Sequence, residues 1–147
     1  MSFELRSHTA DVAVESTAGS LGAVMAAAAD GMAAAMADEV PEGGERRDLS
    51  VTAESREALL FDYLDELIYE RDVRDVLPVD NEATVTEPGE RGGEEEGAGE
   101  GEWHLAGSYR GVPLAGLGAR DLKAVTYSEM AIDETDDGWR TYVVFDV

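Results

Sequence analysis

The chain has 147 residues, 33 acidic against 11 basic, a formal net charge of -22 and no cysteine. That length suits one domain with a single core, and the missing thiols exclude disulfides, thiolate metal sites and cysteine nucleophiles. Net charge of this size destabilises a compact state unless salt screens it, and its spread over the whole chain fits a protein adapted to molar salt. The same charge opposes direct binding of DNA or RNA. No apolar run approaches the length of a membrane span, and Met1-Ser2-Phe3-Glu4-Leu5-Arg6 lacks a signal-peptide layout. A soluble, cytoplasmic protein is expected.

Phe3 to Leu5 and Ala10 to Ser16 read as short extended segments, with Val12 and Val14 alternating against Asp11, Ala13 and Glu15. Ser20 is placed to cap a helix running through Met36. Leu21, Val24, Met25, Ala28, Met32 and Met36 recur on one face of it, and the alanine run Ala26 to Ala29 offsets Gly22 and Gly31. This methionine stripe reads as core rather than as a binding surface. Pro41 to Gly44 is a turn, and Asp48 to Ala53 alternates like a half-buried strand. Ser55 opens the clearest helix. Leu59, Leu60, Tyr63, Leu64, Leu67 and Ile68 form its apolar face, and Asp62, Asp65, Glu66 and Glu70 form a solvated acidic one.

Val73 to Thr86 suggests a turn at Pro78 and a strand at Ala83 to Thr86. Residues 88–101 are nearly all Gly and Glu and predict a flexible loop, since they cannot bury enough apolar area to order themselves. Trp103 to Arg110, Ala124 to Ile132 and Trp139 to Asp146 read as strands, the last two joined by an Asp136-Asp137-Gly138 turn. Strands at both ends with two helices between predict a single compact α+β domain over residues 1–147. Its two helices should pack on a largely antiparallel sheet.

Three patches carry candidate chemistry. Ser7-His8-Thr9-Ala10-Asp11-Val12 stands at the entrance to a strand. Asp121-Leu122-Lys123-Ala124-Val125-Thr126-Tyr127 contains the only lysine beside ten arginines. An ammonium kept where guanidinium is otherwise used points to a site wanting a compact charge, unless that lysine is a residue of chance. Tyr142 to Val147 ends inside a strand and offers the Asp146 carboxylate beside the α-carboxylate of Val147, with Asp11 as a third donor. Oxygen-only ligands suit a hard cation such as Ca²⁺ or Mg²⁺; free carboxylates in an acidic chain are the plain alternative. Two isolated histidines, His8 and His104, make no zinc site.

The patches together resemble the archease family. The resemblance rests on His8-Thr9-Ala10-Asp11-Val12, Phe61-Asp62-Tyr63-Leu64-Asp65-Glu66-Leu67, Lys123-Ala124-Val125-Thr126-Tyr127 and Val143-Val144-Phe145-Asp146-Val147, in order over essentially the whole chain. The acidic, lysine-poor composition is that of a haloarchaeal-like member. Two positions depart from the family pattern: Ala13 where glycine is usual, and Ser128 where histidine is frequent.

The resemblance implies an activator rather than an enzyme. Archeases assist the GTP-dependent tRNA-splicing RNA ligase, promoting its guanylylation and repeated turnover in exon joining. It further implies a metal site at Asp11, Asp146 and the Val147 carboxylate, holding Ca²⁺ with Mg²⁺ or Mn²⁺ as alternatives. Asp11, Lys123 and Asp146 would serve ligase activation. The residues alone leave open a structural pin of the terminal strands, a metal-dependent hydrolase using Asp11 and Asp146, and a chaperone-like binding module for RNA-processing proteins.

Shortening residues 88–101 to a few glycines should leave the circular-dichroism spectrum and ligase activation unchanged, because no core area is removed and a shorter loop is easier to close. Lost activation with an unchanged spectrum would make this segment a docking element.

Overall fold

In a computed structural model, which describes residues 2–7, 11–88 and 102–147, both helices begin at the serines expected to cap them. Ser20 Oγ accepts from the Ala23 amide and Ser55 Oγ from the Ala58 amide, each at 3.1 Å. Caps of this kind contribute about 1 kcal/mol each. They open α1 (Leu21–Met36) and α2 (Arg56–Arg74). Asp75, with a left-handed φ of 55°, ends α2 and turns the chain straight into a strand.

The strands are β1 (Ser2–Ser7), β2 (Asp11–Ala18), β3 (Glu45–Ala53), β4 (Val76–Thr86), β5 (Trp103–Pro113), β6 (Ala124–Thr135) and β7 (Gly138–Asp146). They form a four-stranded sheet of order β1-β2-β7-β6 and a three-stranded sheet of order β3-β5-β4, antiparallel throughout. The α+β class, the two helices and the antiparallel pairing are as the sequence predicts. The strands, however, divide into two sheets rather than one.

The physical reason lies in α1. Its methionine stripe is buried as expected, but Ala26, Ala27, Ala29 and Ala33 are buried too. A helix apolar all round needs cover on more than one side. It packs against β1, β2 and β7 on one side and β4 on another. Gly22 and Gly31 make this possible. A Cβ at Gly22 would run into the Ala83 carbonyl, and one at Gly31 into the Val14 side chain. The second helix buries Leu59, Leu60, Tyr63, Leu64, Leu67 and Ile68 against β6 and all three strands of the smaller sheet. One continuous apolar cluster draws on both sheets and both helices.

Two expectations change. Pro78 is not a turn but sits inside β4, opposite Gly111. β4 is an edge strand, where a residue without an N–H is tolerated. The irregularity comes just beyond it, as a register shift between Val79 and Glu82 around Asp80, whose φ is 49°. There the Asp30 carboxylate accepts from both the Asn81 amide N–H and its side-chain Nδ2, at 3.0 and 2.9 Å. The loop expected at 88–101 lies, apart from Pro88, outside the described residues.

Glu70 also departs from the solvated face assigned to it. Its Oε1 accepts from the Tyr109 hydroxyl at 2.6 Å and from Arg74 Nε at 2.8 Å. Burial would raise this carboxyl, but those donors and the Arg74 charge outweigh it and hold it below the usual value. Burial and the Glu70 bond together push the Tyr109 hydroxyl up to about 12. Because the folded carboxyl titrates below the unfolded one, its contribution is complete above the unfolded value and is lost as pH falls through the folded value. Tyr109→Phe should therefore cost about 1–2 kcal/mol at neutral pH. Denaturant unfolding should show that difference narrowing on acidification; a pH-independent difference would contradict it.

Candidate functional site

The pairing of β2 with β7 sets Asp11 directly opposite Asp146, and β7 with β6 sets Asp146 opposite Ala124. The three positions form one row across adjacent strands, where facing Cβ atoms lie roughly 4.5–5.5 Å apart. The next row is Val12, Phe145 and Val125, with Phe145 and Val125 in the core. Strand alternation thus sends the two aspartates to the opposite face. Asp11 is half-buried and Asp146 exposed, and Val147 follows with 46% of its surface accessible.

Lys123 is the residue before β6. Its backbone N–H donates to the Asp146 carbonyl at 2.9 Å, so ladder bonding continues past the end of the strand. Its side chain is exposed and makes no ion pair with a described carboxylate. The fold therefore gathers all four candidate residues, Asp11, Lys123, Asp146 and Val147, at one end of the larger sheet. His8 lies outside the described residues, and His104 is on β5 of the other sheet.

Neighbouring features shape this tip. The β6–β7 register shifts between Thr126 and Ala131, and Glu129 inside the irregular stretch has φ 56°. Such a bulge re-aims side chains. Tyr127, 55% exposed, stacks on Phe61 of α2 with ring centroids 4.2 Å apart and planes 8° from parallel. Burial and the charge of Asp62 raise the Tyr127 hydroxyl, so it stays a donor at neutral pH. Ser128, one of the departures from the family pattern, donates its N–H to Thr126 Oγ1 at 3.2 Å.

The segment entering β6 has no regular structure between Leu114 and Lys123, yet it is fastened at several points. The Arg120 N–H donates to the Met36 carbonyl at 2.6 Å, and its side chain pairs with Asp38 at 3.1 Å. Arg71 of α2, only 7% exposed, donates from Nη1 to the Leu122 carbonyl at 2.7 Å. Sequence reading missed Arg71. The signal was present: position 71 continues the Leu60, Leu64, Leu67 spacing of the apolar face, where a charge needs a partner. A cleft of about 400 Å³ beside it is lined by Arg71, Asp72, Arg120 and Asp121 among others.

As a cation site, the tip offers two aspartates, Asp11 and Asp146, with the Val147 carboxylate the third donor expected from the sequence. Among the described residues no three His, Cys, Asp or Glu side chains converge. The donor set is oxygen-only, which fits a hard divalent ion completed by water or a partner and does not fit zinc or a soft metal.

The geometry defines a small α+β protein whose candidate working surface is an exposed charged tip at a sheet end rather than an enclosed pocket. The model of the Archease protein family matches residues 3–147, and the chain belongs to that family. It is 31% identical over 149 residues to protein archease of Methanosarcina acetivorans, covering 99% of this chain and 95% of that one. The Methanosarcina mazei archease is 30% identical with the same coverage. The solution structure of Methanobacterium thermoautotrophicum protein 1598 matches with a TM-score of 0.77 at 29% identity, over 99% of this chain and 98% of that one. A Thermotoga maritima crystal structure described as an archease, possible chaperone, matches with a TM-score of 0.59 at 20% identity, over 97% and 94%, and speaks to the fold alone. Among the described residues no helix is long and apolar enough to cross a membrane.

Proposed function

We propose that this archease activates the tRNA-splicing RNA ligase by protein contact, promoting guanylylation of the ligase and its multiple turnover in exon joining. The observation that carries the reading is the convergence of Asp11, Asp146 and Lys123 at one exposed sheet end. These residues come from three separate patches of the sequence. A charged tip on a rigid sheet is suited to entering a partner's nucleotide pocket, since its groups are already oriented before contact. The net charge of -22 favours a protein partner over tRNA itself, and the cytoplasm is the setting the reading requires.

In this proposal Asp11, Asp146 and the Val147 carboxylate hold a divalent cation, with Ca²⁺ the leading candidate and Mg²⁺ or Mn²⁺ alternatives. Such an ion, when bound, supplies fixed positive charge toward phosphate oxygens. The β2–β7 pairing sets Asp11, half-buried, directly opposite Asp146, exposed, where two like charges repel unless a cation neutralises them. Lys123 presents a compact ammonium on a backbone tied to Asp146. Its freedom from a described carboxylate leaves it available to a partner's anionic group.

Asp146→Ala, and separately removal of Val147, should weaken Ca²⁺ and Mg²⁺ binding by about tenfold or more while leaving the fold intact. Calorimetric titration at one ionic strength measures this, and unchanged affinity removes the metal site.

Lys123→Arg tests the ammonium itself. It should reduce ligase guanylylation nearly as much as Lys123→Ala, because a planar fork does not replace a point charge. Neither substitution should shift thermal unfolding, since the side chain is exposed and unpaired among described residues. Guanylylation rates in high salt at matched protein concentration decide it. Full activity of Lys123→Arg reduces the requirement to charge, and full activity of Lys123→Ala removes Lys123 from the mechanism.

A further inference from the structure

Arg71 is the one charged side chain among the described residues that falls in the buried class, and nothing in the core requires a charge there. Burying a guanidinium is unfavourable unless its donors are met. Here they are met in a directed way. Nη1 donates to the Leu122 carbonyl at 2.7 Å and to Met36 Sδ at 3.1 Å. Nε and Nη2 both reach Asp72 Oδ1 at 2.9 Å, and Nη2 lies 3.8 Å from Asp121. The aspartates stand on the solvent side, and the fork's inner edge is given to a backbone oxygen.

That oxygen belongs to the peptide joining Leu122 to Lys123. Leu122 is 1% exposed, so its carbonyl is shut off from water and needs a protein donor. The N–H of the same peptide is the one donating to the Asp146 carbonyl at 2.9 Å. One peptide plane is therefore held from both sides, by α2 through Arg71 and by β7 through Asp146. A planar fork anchored at several donors fixes such a plane better than a flexible ammonium.

We propose that Arg71 is a positioning residue for Lys123: it clamps the Leu122–Lys123 peptide so that the ammonium leaves the sheet end in one direction beside Asp146. The consequence for activation rests on the ligase reading above, whereas the clamp itself does not.

The test uses the full chain with Arg71→Met, which fills the volume without donors, and Arg71→Lys, which restores one donor. Backbone amide exchange by NMR should accelerate about tenfold at Lys123 in Arg71→Met, with the Val14 amide in mid-sheet little changed, and Arg71→Lys should recover part of it. Unchanged exchange at Lys123, or equal acceleration at Val14, overturns the clamp. The second arm is a double-mutant cycle in the guanylylation assay. Arg71→Met should lower the maximal activated rate, and adding it to Lys123→Ala should cause no further loss. A loss that adds in full overturns the route through Lys123. If the wild-type protein does not stimulate the ligase, the ligase reading fails, and the exchange arm still judges Arg71.

Discussion

Everything else in this molecule depends on α1 being buried on nearly every side. An isolated helix of alanine, methionine and glycine has little to hold it, but between two sheets it becomes the surface both require. Its residues are small where backbones approach, as at Gly22 against Ala83, and flexible where gaps remain, as at Met25, Met32 and Met36. That combination matches the plastic packing behaviour of methionine. The separation of the two sheets is thus set by side-chain volume in one helix. α2 then needs to cover only one side, and its outer face is left for charge and for the Phe61–Tyr127 stack.

The acidic surface sharpens the contrast between the core and the arginines. Several arginines are spent on cross-links between distant segments: Arg140 with Glu15 and Asp133, Arg110 with Asp80, Arg120 with Asp38. Exposed pairs of this sort contribute little individually. Their effect is better seen as local relief of repulsion in a chain of strongly negative charge. Against that pattern a lysine without a described partner, on a backbone held by a buried arginine, is a departure on two counts.

Local features of the fold were readable from residue type and spacing. Ser20 and Ser55 announce the helices because a hydroxyl in that position satisfies an orphan amide, and Asp136-Asp137-Gly138 announces the β6–β7 turn. Lys123 was readable as the lone lysine, and Asp146 and Asp11 as carboxylates near the strand ends; the motif resemblance then joined them. Spacing alone says nothing about residues 11 and 146 standing face to face. What escaped was decided by tertiary context. Pro78 punctuates a chain in general and is harmless on an edge strand in particular. The division into two sheets follows from how many sides of α1 are apolar, which a stripe-based reading undercounts when alanines fill the remainder. Arg71 went unnoticed because its partner, the Leu122 carbonyl, is a main-chain atom 51 positions away.

The β2–β7 ladder joins residues 11–18 to 139–146, a separation of almost the whole chain. Contacts that distant in sequence pay their loop-closure entropy before any reward, so they tend to form late. The smaller sheet and α2 involve shorter loops and have no need to wait for it. A partly folded molecule would then hold α2 and the three strands of the smaller sheet before Asp11 and Asp146 are brought face to face. On the function proposed above, competence to engage a partner would arrive with that final closure rather than build up gradually, and an immature chain would stay silent toward the partner instead of binding it badly.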